Sequence, residues 1–137
     1  TLQLNDGTLH VQFTDDCNRR ENGMVSTNLE DPGLDAIWRM GCAYQFRMGA
    51  YRYDDRLRGR RFIAVYEELG IVLAGGFIDH EGRLGEFTLA DGSKRTSIFR
   101  RPHSFVLLEA FKVVEGKIRQ VEAVFITVPY NMPSPWD

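Results

Sequence analysis

The chain has 137 residues, 43% of them hydrophobic and 26% charged, a size and balance that suit one folded domain over residues 1–137 with its own core. Its formal net charge of −2 excludes a general binder of nucleic acid or of acidic membrane surfaces. With no apolar run of about 18 residues and no signal-type start, the expectation is a cytoplasmic protein that neither spans nor crosses a membrane.

In chain order, Leu9–Phe13 reads as the tail of a short helix or turn closing on Thr14-Asp15-Asp16. Cys17–Met24 reads as a strand ending at the turn dipeptide Asn22-Gly23. Asp31-Pro32-Gly33 is a start signal for the short periodic segment Leu34–Met40. Ala43–Asp54 is strand-like and rich in aromatics, and Arg56–Arg61 reads as a basic loop. Phe62–Glu67 pairs with Ile71–Asp79 across Glu68-Leu69-Gly70, and Gly75-Gly76 marks a bulge or a close approach of backbone. Residues 81–97 form a polar excursion. The runs Ser104–Val114 and Ile118–Val128 then make a hairpin about Glu115-Gly116-Lys117. Cys17 and Cys42 lack metal-ligand spacing and are expected as buried free thiols in a reducing compartment.

The closing hairpin carries the chemistry. Strand side chains alternate faces, so a solvated Lys112 turns His103, Phe105, Leu107, Glu109 and Phe111 inward together. An imidazole and a carboxylate on a greasy face are expensive unless paired, hydrogen-bonded or used. His103 is therefore a candidate general acid or base, with a hydrogen-bonded core histidine as the alternative. Arg19 and Glu21 share the face of Cys17; Arg19 either binds a substrate oxyanion or pairs with Glu109 or Glu122. Among Tyr44, Tyr51 and Tyr53, a hydroxyl aimed into a pocket could donate to a developing anion, while aromatic packing accounts for at least two of them. His80, at the strand end Asp79-His80-Glu81-Gly82, is either a solvated turn residue or a catalytic group at a pocket mouth. The candidate catalytic set is thus His103, Arg19, Tyr53, Glu109 and His80, with Tyr44, Phe105, Leu107, Phe111 and Phe125 lining the substrate. Three scattered histidines make no metal set, and no phosphate or dinucleotide fingerprint is present, so no metal and no cofactor are expected. The opposite face, with Val106, Leu108, Val124 and Ile126, is expected to be an interface in a homodimer or homotrimer.

Phe13-Thr14-Asp15-Asp16-Cys17 with Glu21-Asn22-Gly23 resembles the helix end and first strand of the nuclear-transport-factor-2-like superfamily, in its SnoaL-like and scytalone-dehydratase-like branch. Glu109-Ala110-Phe111-Lys112-Val113, Gly116-Lys117-Ile118, Val121-Glu122-Ala123 and the tail Pro129–Trp136 resemble that branch's last two strands. The resemblance implies an α+β fold, a cone-shaped and strongly bent antiparallel sheet packed on helices round a deep apolar pocket. It also implies an N-terminal helix ahead of the Asp-Asp region, which is expected to be missing from this chain. The activities implied are cofactor-independent lyase or dehydratase chemistry on an apolar, hydroxylated aromatic molecule, including removal of formaldehyde from lignin-derived diaryl propanediols. Ketosteroid-isomerase-like isomerisation, polyketide cyclisation and a non-catalytic ligand-binding or dimerisation module are the alternatives. The motifs place neither the Asp–His dyad of scytalone dehydratase nor the Asp–Arg–Asp set of the epoxide hydrolases.

Overall fold

The computed structural model describes residues 8–136. Eight strands and one α-helix follow in the order β1 (Phe13–Glu21), β2 (Met24–Val25), α1 (Cys42–Arg47), β3 (Arg56–Tyr66), β4 (Ile71–His80), β5 (Glu86–Thr88), β6 (Lys94–Thr96), β7 (His103–Val114) and β8 (Lys117–Val128). Six of them form a strongly bent sheet in the order β2-β1-β8-β7-β4-β3, and β5 pairs with β6 in a small hairpin. This is the cone-like α+β architecture that the resemblance implies. The sheet is mixed rather than wholly antiparallel, because β1 runs parallel to β8, with Arg19 beside Val121 and Glu21 beside Ala123.

Local chemistry sets the turns. Asn22-Gly23 and Glu115-Gly116 each carry two positive φ values, the two-residue hairpin geometry whose twist matches that of the flanking strands. Gly70 is left-handed at φ 58°, and a Cβ there would fall 2.3 Å from the Val113 carbonyl oxygen, so the turn into β4 admits no side chain. The expected bulge lies in β3, where Gly59 and Arg60 together oppose Gly76.

On the outer side of β4, Asp79 is fully buried and paired with Arg56 and Arg58, with the Ser104 hydroxyl donating to it. The Ser104 Oγ accepts from the Asn131 backbone N–H, and the Trp136 indole packs 6.1 Å from Phe77 while donating to the Gly59 carbonyl. This network pins the C-terminal tail to the outer face. On the inner side α1 packs on β1, and Phe87 and Leu89 at β5 join Met48 against Tyr53.

Several local expectations are corrected. Ala43–Asp54 is α1 followed by turns rather than a strand, and Arg56–Arg61 belongs to β3 rather than to a loop. The helix arises because Gln45 and Phe46 must both reach inward. Gln45 Nε2 donates to the Ser26 and Ile37 carbonyls, and Phe46 stacks on Phe13. Tertiary demand here overrides the strand preference of the aromatics. Tyr44 consequently points outward, 51% exposed. Cys17 and Cys42 are not free thiols: they form a disulfide that ties α1 to β1. Such bonds persist in oxidising compartments, which counts against the cytoplasmic expectation.

Candidate active site

Alternation in β7 holds as expected. Lys112 is exposed and donates to the Leu69 carbonyl, while Leu107 is buried and His103, Phe105, Glu109 and Phe111 share its face. Register brings His80 beside His103, Phe125 beside Leu107 and Ala123 beside Glu109. The inward faces of β1, β8, β7 and β4, together with the turn after α1, therefore converge.

At one end stands an aromatic cluster. The His80 ring centroid lies 4.4 Å from Phe99, 4.7 Å from His103 and 5.0 Å from Phe105, and Phe105 lies 4.8 Å from Phe125. Tyr53 closes on Phe99 at 4.9 Å. His80 is only 1% exposed, not a solvated turn residue, because β4 runs through to it and pairs it with His103. Its Nδ1 is 2.9 Å from the Tyr53 carbonyl oxygen, which can only accept, so Nδ1 carries the hydrogen. Nε2, on the other side of the ring, is buried with no partner and presents a bare lone pair. Burial depresses the His80 pKa below its usual 6.5, and the neighbouring His103 pushes the same way, so His80 is neutral at pH 7. His103 has the same tautomer by the same logic, Nδ1 lying 2.8 Å from the Arg101 carbonyl oxygen.

At the other end stand the charges. Arg19 Nε is 2.7 Å from Glu21, its guanidinium reaches Glu109 at 3.7 Å, and it lies 5.0 Å over the Tyr51 ring. Burial works against the Arg19 charge, but Tyr51, Glu21, Glu109 and Asp54 hold it protonated. The Tyr51 hydroxyl donates to Gln45 Oε1, so α1 sets the position of this ring. Burial pushes Tyr51 up to about 12 and raises Tyr53 further. Burial also raises Glu109, against the opposing pull of Arg19.

Asp54 joins the two ends. Its Oδ1 is 3.4 Å from His80 Nδ1, and burial pushes its pKa up to about 8, with Arg19 opposing and Glu21 adding to the rise. Asp54 therefore holds a proton at neutral pH. An Asp–His pair beside an Arg–Tyr–Glu group can take, hold and return protons at the edge of an aromatic surface.

Of the residues singled out from sequence, His80, His103, Tyr53, Phe105 and Phe125 meet in the aromatic cluster, and Arg19 and Glu109 meet beside it. Phe111 and Leu107 share the face, and Tyr44 lies outside. Asp54 and Phe99 were missed; the one signal for Asp54 is its place in the Asp54-Asp55 doublet that closes the aromatic segment. A cavity of about 510 Å3 opens elsewhere, beside Asp16, Asn18, Phe111, Lys112, Arg119 and Glu122, so Phe111 borders this cavity rather than the aromatic cluster. It touches none of His80, His103, Arg19, Tyr53 and Glu109. Among the described residues, no group of three or more His, Cys, Asp or Glu side chains is placed to hold a metal ion, and no helix is long and apolar enough to cross a membrane.

The chain is similar to several solved structures, two of which follow. AclR from Streptomyces galilaeus, described as a candidate hydroxylase, is 16% identical over 86% of this chain, with a TM-score of 0.45. The chain spans 65% of AclR's length. The Mtr2–Mex67 M domain complex of C. albicans is 12% identical over 88% of this chain and 74% of that one, with a TM-score of 0.42. No curated protein matches the chain. One family does, over residues 1–125: the chain belongs to the family described as a domain of unknown function, DUF8021.

Proposed function

We propose that the concave face binds an apolar, aromatic, hydroxylated small molecule and acts on it by acid–base chemistry without a cofactor. The observation that carries this reading is His80: buried, held as the Nδ1–H tautomer, and left with an unpartnered Nε2 lone pair among aromatic rings. An unsatisfied buried nitrogen costs stability, and active sites are where such costs are retained. In this reading His80 Nε2 takes the substrate proton. Asp54 Oδ1, 3.4 Å from Nδ1, is a second acceptor beside the Nδ1 hydrogen and helps hold that tautomer. His103 stands next to it as a second acid–base group nearer the solvent, and the Tyr53 hydroxyl is a candidate donor to developing negative charge.

Within this class we favour elimination, as in a lyase or dehydratase. The Asp54–His80 pair supplies the kind of dyad that the scytalone-dehydratase-like resemblance implies. Deformylation of diaryl propanediols, isomerisation and cyclisation use the same parts and stay as narrower versions of the proposal. With no electron sink from a cofactor, the substrate must delocalise its own charge, as phenols and enones do.

A rival reading is a non-catalytic ligand-binding or dimerisation module. The close approach of Phe99, Phe105 and Phe125 around the two histidines favours it, since rings packed this tightly fill space that a substrate would need. A turnover screen over phenolic and enone compounds, run on the wild type and on His80→Gln, separates the two. The enzyme reading expects turnover that falls by roughly two to four orders of magnitude in the variant. Binding without turnover, unchanged by the substitution, would leave the module.

A further inference from the structure

Among the described residues β3 is paired only with β4 and closes one side of the six-stranded sheet. Its other edge offers main-chain donors and acceptors to a further strand. The tail reaches β3 at Gly59, whose carbonyl accepts from the Trp136 indole. Beyond Gly59 the strand reads Arg60-Arg61-Phe62-Ile63-Ala64-Val65-Tyr66, followed by Glu67-Glu68 in the turn towards β4. Phe62 is 78% exposed, and Ile63, Val65 and Tyr66 are each more than half exposed. Edge strands are ordinarily kept short or charged, because a long apolar one recruits another chain. Here the charges stand at the two ends of the apolar run, positive at one and negative at the other.

The faces of this run have a matching symmetry. Phe62 pairs with Ala74 and Val65 with Val72, in register with Glu109 and Phe111 on the concave side. Arg61 pairs with Gly75 and Tyr66 with Ile71, in register with Leu108 and Lys112 on the outer side. The bulge between Phe62 and Ala64 breaks the alternation. Ile63 and Ala64 therefore both face outward: Ala64 pairs with Leu73, and a Cβ on Gly75 would lie 3.3 Å from Ile63 Cδ1. Outward from these two residues in either direction, the order of faces is outer, concave, outer. Such a strand can lie antiparallel beside a copy of itself with every opposed pair on one face. Ile63 then meets Ala64, Phe62 meets Val65, Arg61 meets Tyr66 and Arg60 meets Glu67. Among the described residues no carboxylate pairs with Arg60 and no cation with Glu67, so both charges are available for that contact.

We propose that β3 is a self-recognition edge: two copies of the chain pair β3 with β3, antiparallel about a two-fold axis between Ile63 and Ala64, and Arg60 of each copy meets Glu67 of the other. The contact joins the two sheets across the axis and covers Phe62, Ile63, Val65 and Tyr66 on both copies. It is separate from the sheet face that carries Leu108, Val124 and Ile126. One strand per copy makes a small interface, so the pairing forms above the micromolar range and its charges set the register.

The test is sedimentation equilibrium of the 137-residue chain carrying Val124→Lys and Ile126→Glu, two exposed positions whose replacement removes association through the sheet face. Between about 10 µM and about 1 mM its mass should rise from one chain towards two, as a small interface requires. Arg60→Glu and Glu67→Arg, added singly, each set like charges opposite one another twice across the axis. Each should weaken the dimer about tenfold. An equimolar mixture of the two should dimerise as tightly as the parent, because each substituted position then faces an opposite charge. Circular dichroism checks that every variant keeps the fold. Made without the sheet-face substitutions, the same changes should lower the mass reached at the highest concentration, and their mixture should restore it. A parent that stays monomeric throughout the range overturns the proposal. So does a dimer that either single substitution leaves undiminished, or a mixture no tighter than its components.

Discussion

His80 and Asp54 set the behaviour of this molecule at the scale of single residues. Asp54 is raised in the folded state to about 8 from 3.8, so folding takes up a proton there wherever the pH lies between those values. Stability from this group is full below about pH 4 and is lost as pH rises through about 8. Urea midpoints at pH 5, 7 and 9 should fall with pH in the wild type, and the fall should be shallower in Asp54→Asn. Equal slopes would mean that Asp54 ionises freely. For His80 the sign is opposite in effect: a depressed pKa keeps Nε2 unprotonated, so the rate of any reaction it catalyses should rise through a midpoint below 6.5 and then level. A rate that climbs only above pH 8 would point to a different base. His103 was legible from strand parity alone, because Lys112 fixes which side of β7 faces water. Asp54 was not, because it follows a helix and turns that carry no period from which to read a face.

At the scale of elements, the disulfide and α1 build one wall of the site. The Cys17–Cys42 bond joins β1 to the first turn of α1, and α1 delivers Gln45 to the Tyr51 hydroxyl and Phe46 to the Tyr51 ring, 5.0 Å away. Replacing both cysteines with alanine should cost about 3 kcal/mol, the usual worth of closing a loop of this length. Denaturant unfolding measures it, and dithiothreitol should bring the wild type to the same midpoint. A double variant as stable as the oxidised protein would mean that packing alone holds α1 in place. The hairpin β7–β8 and the pair β3–β4 could be read from sequence because turn dipeptides and unbroken apolar runs agree there. The parallel pairing of β1 with β8 could not, since no local signal records a contact between residues about a hundred positions apart.

At the scale of the whole molecule, the outer face of the sheet leaves Leu108, Val124 and Ile126 exposed, the last two at 57% and 66%. Contiguous apolar surface of this kind marks an interface. Sedimentation equilibrium at micromolar concentrations should give a dimer or trimer mass, and Val124→Lys with Ile126→Glu should give a monomer with an unchanged circular dichroism spectrum. A monomeric wild type would remove the assembly. The cone itself was legible because its inward faces, turns and bulge are each written locally. The chemistry at its mouth was only partly so, because burial of His80 depends on strands brought together by register.

The most direct test of the proposed site is the imidazole nitrogen chemical shifts of His80, measured by NMR at neutral pH with and without a phenolic compound that binds the protein. Here Nδ1 should carry the hydrogen, Nε2 should show the shift of a bare lone pair, and the ligand should move Nε2 more than Nδ1. An Nε2 that already bears a hydrogen, or one that no aromatic ligand perturbs, would contradict the site.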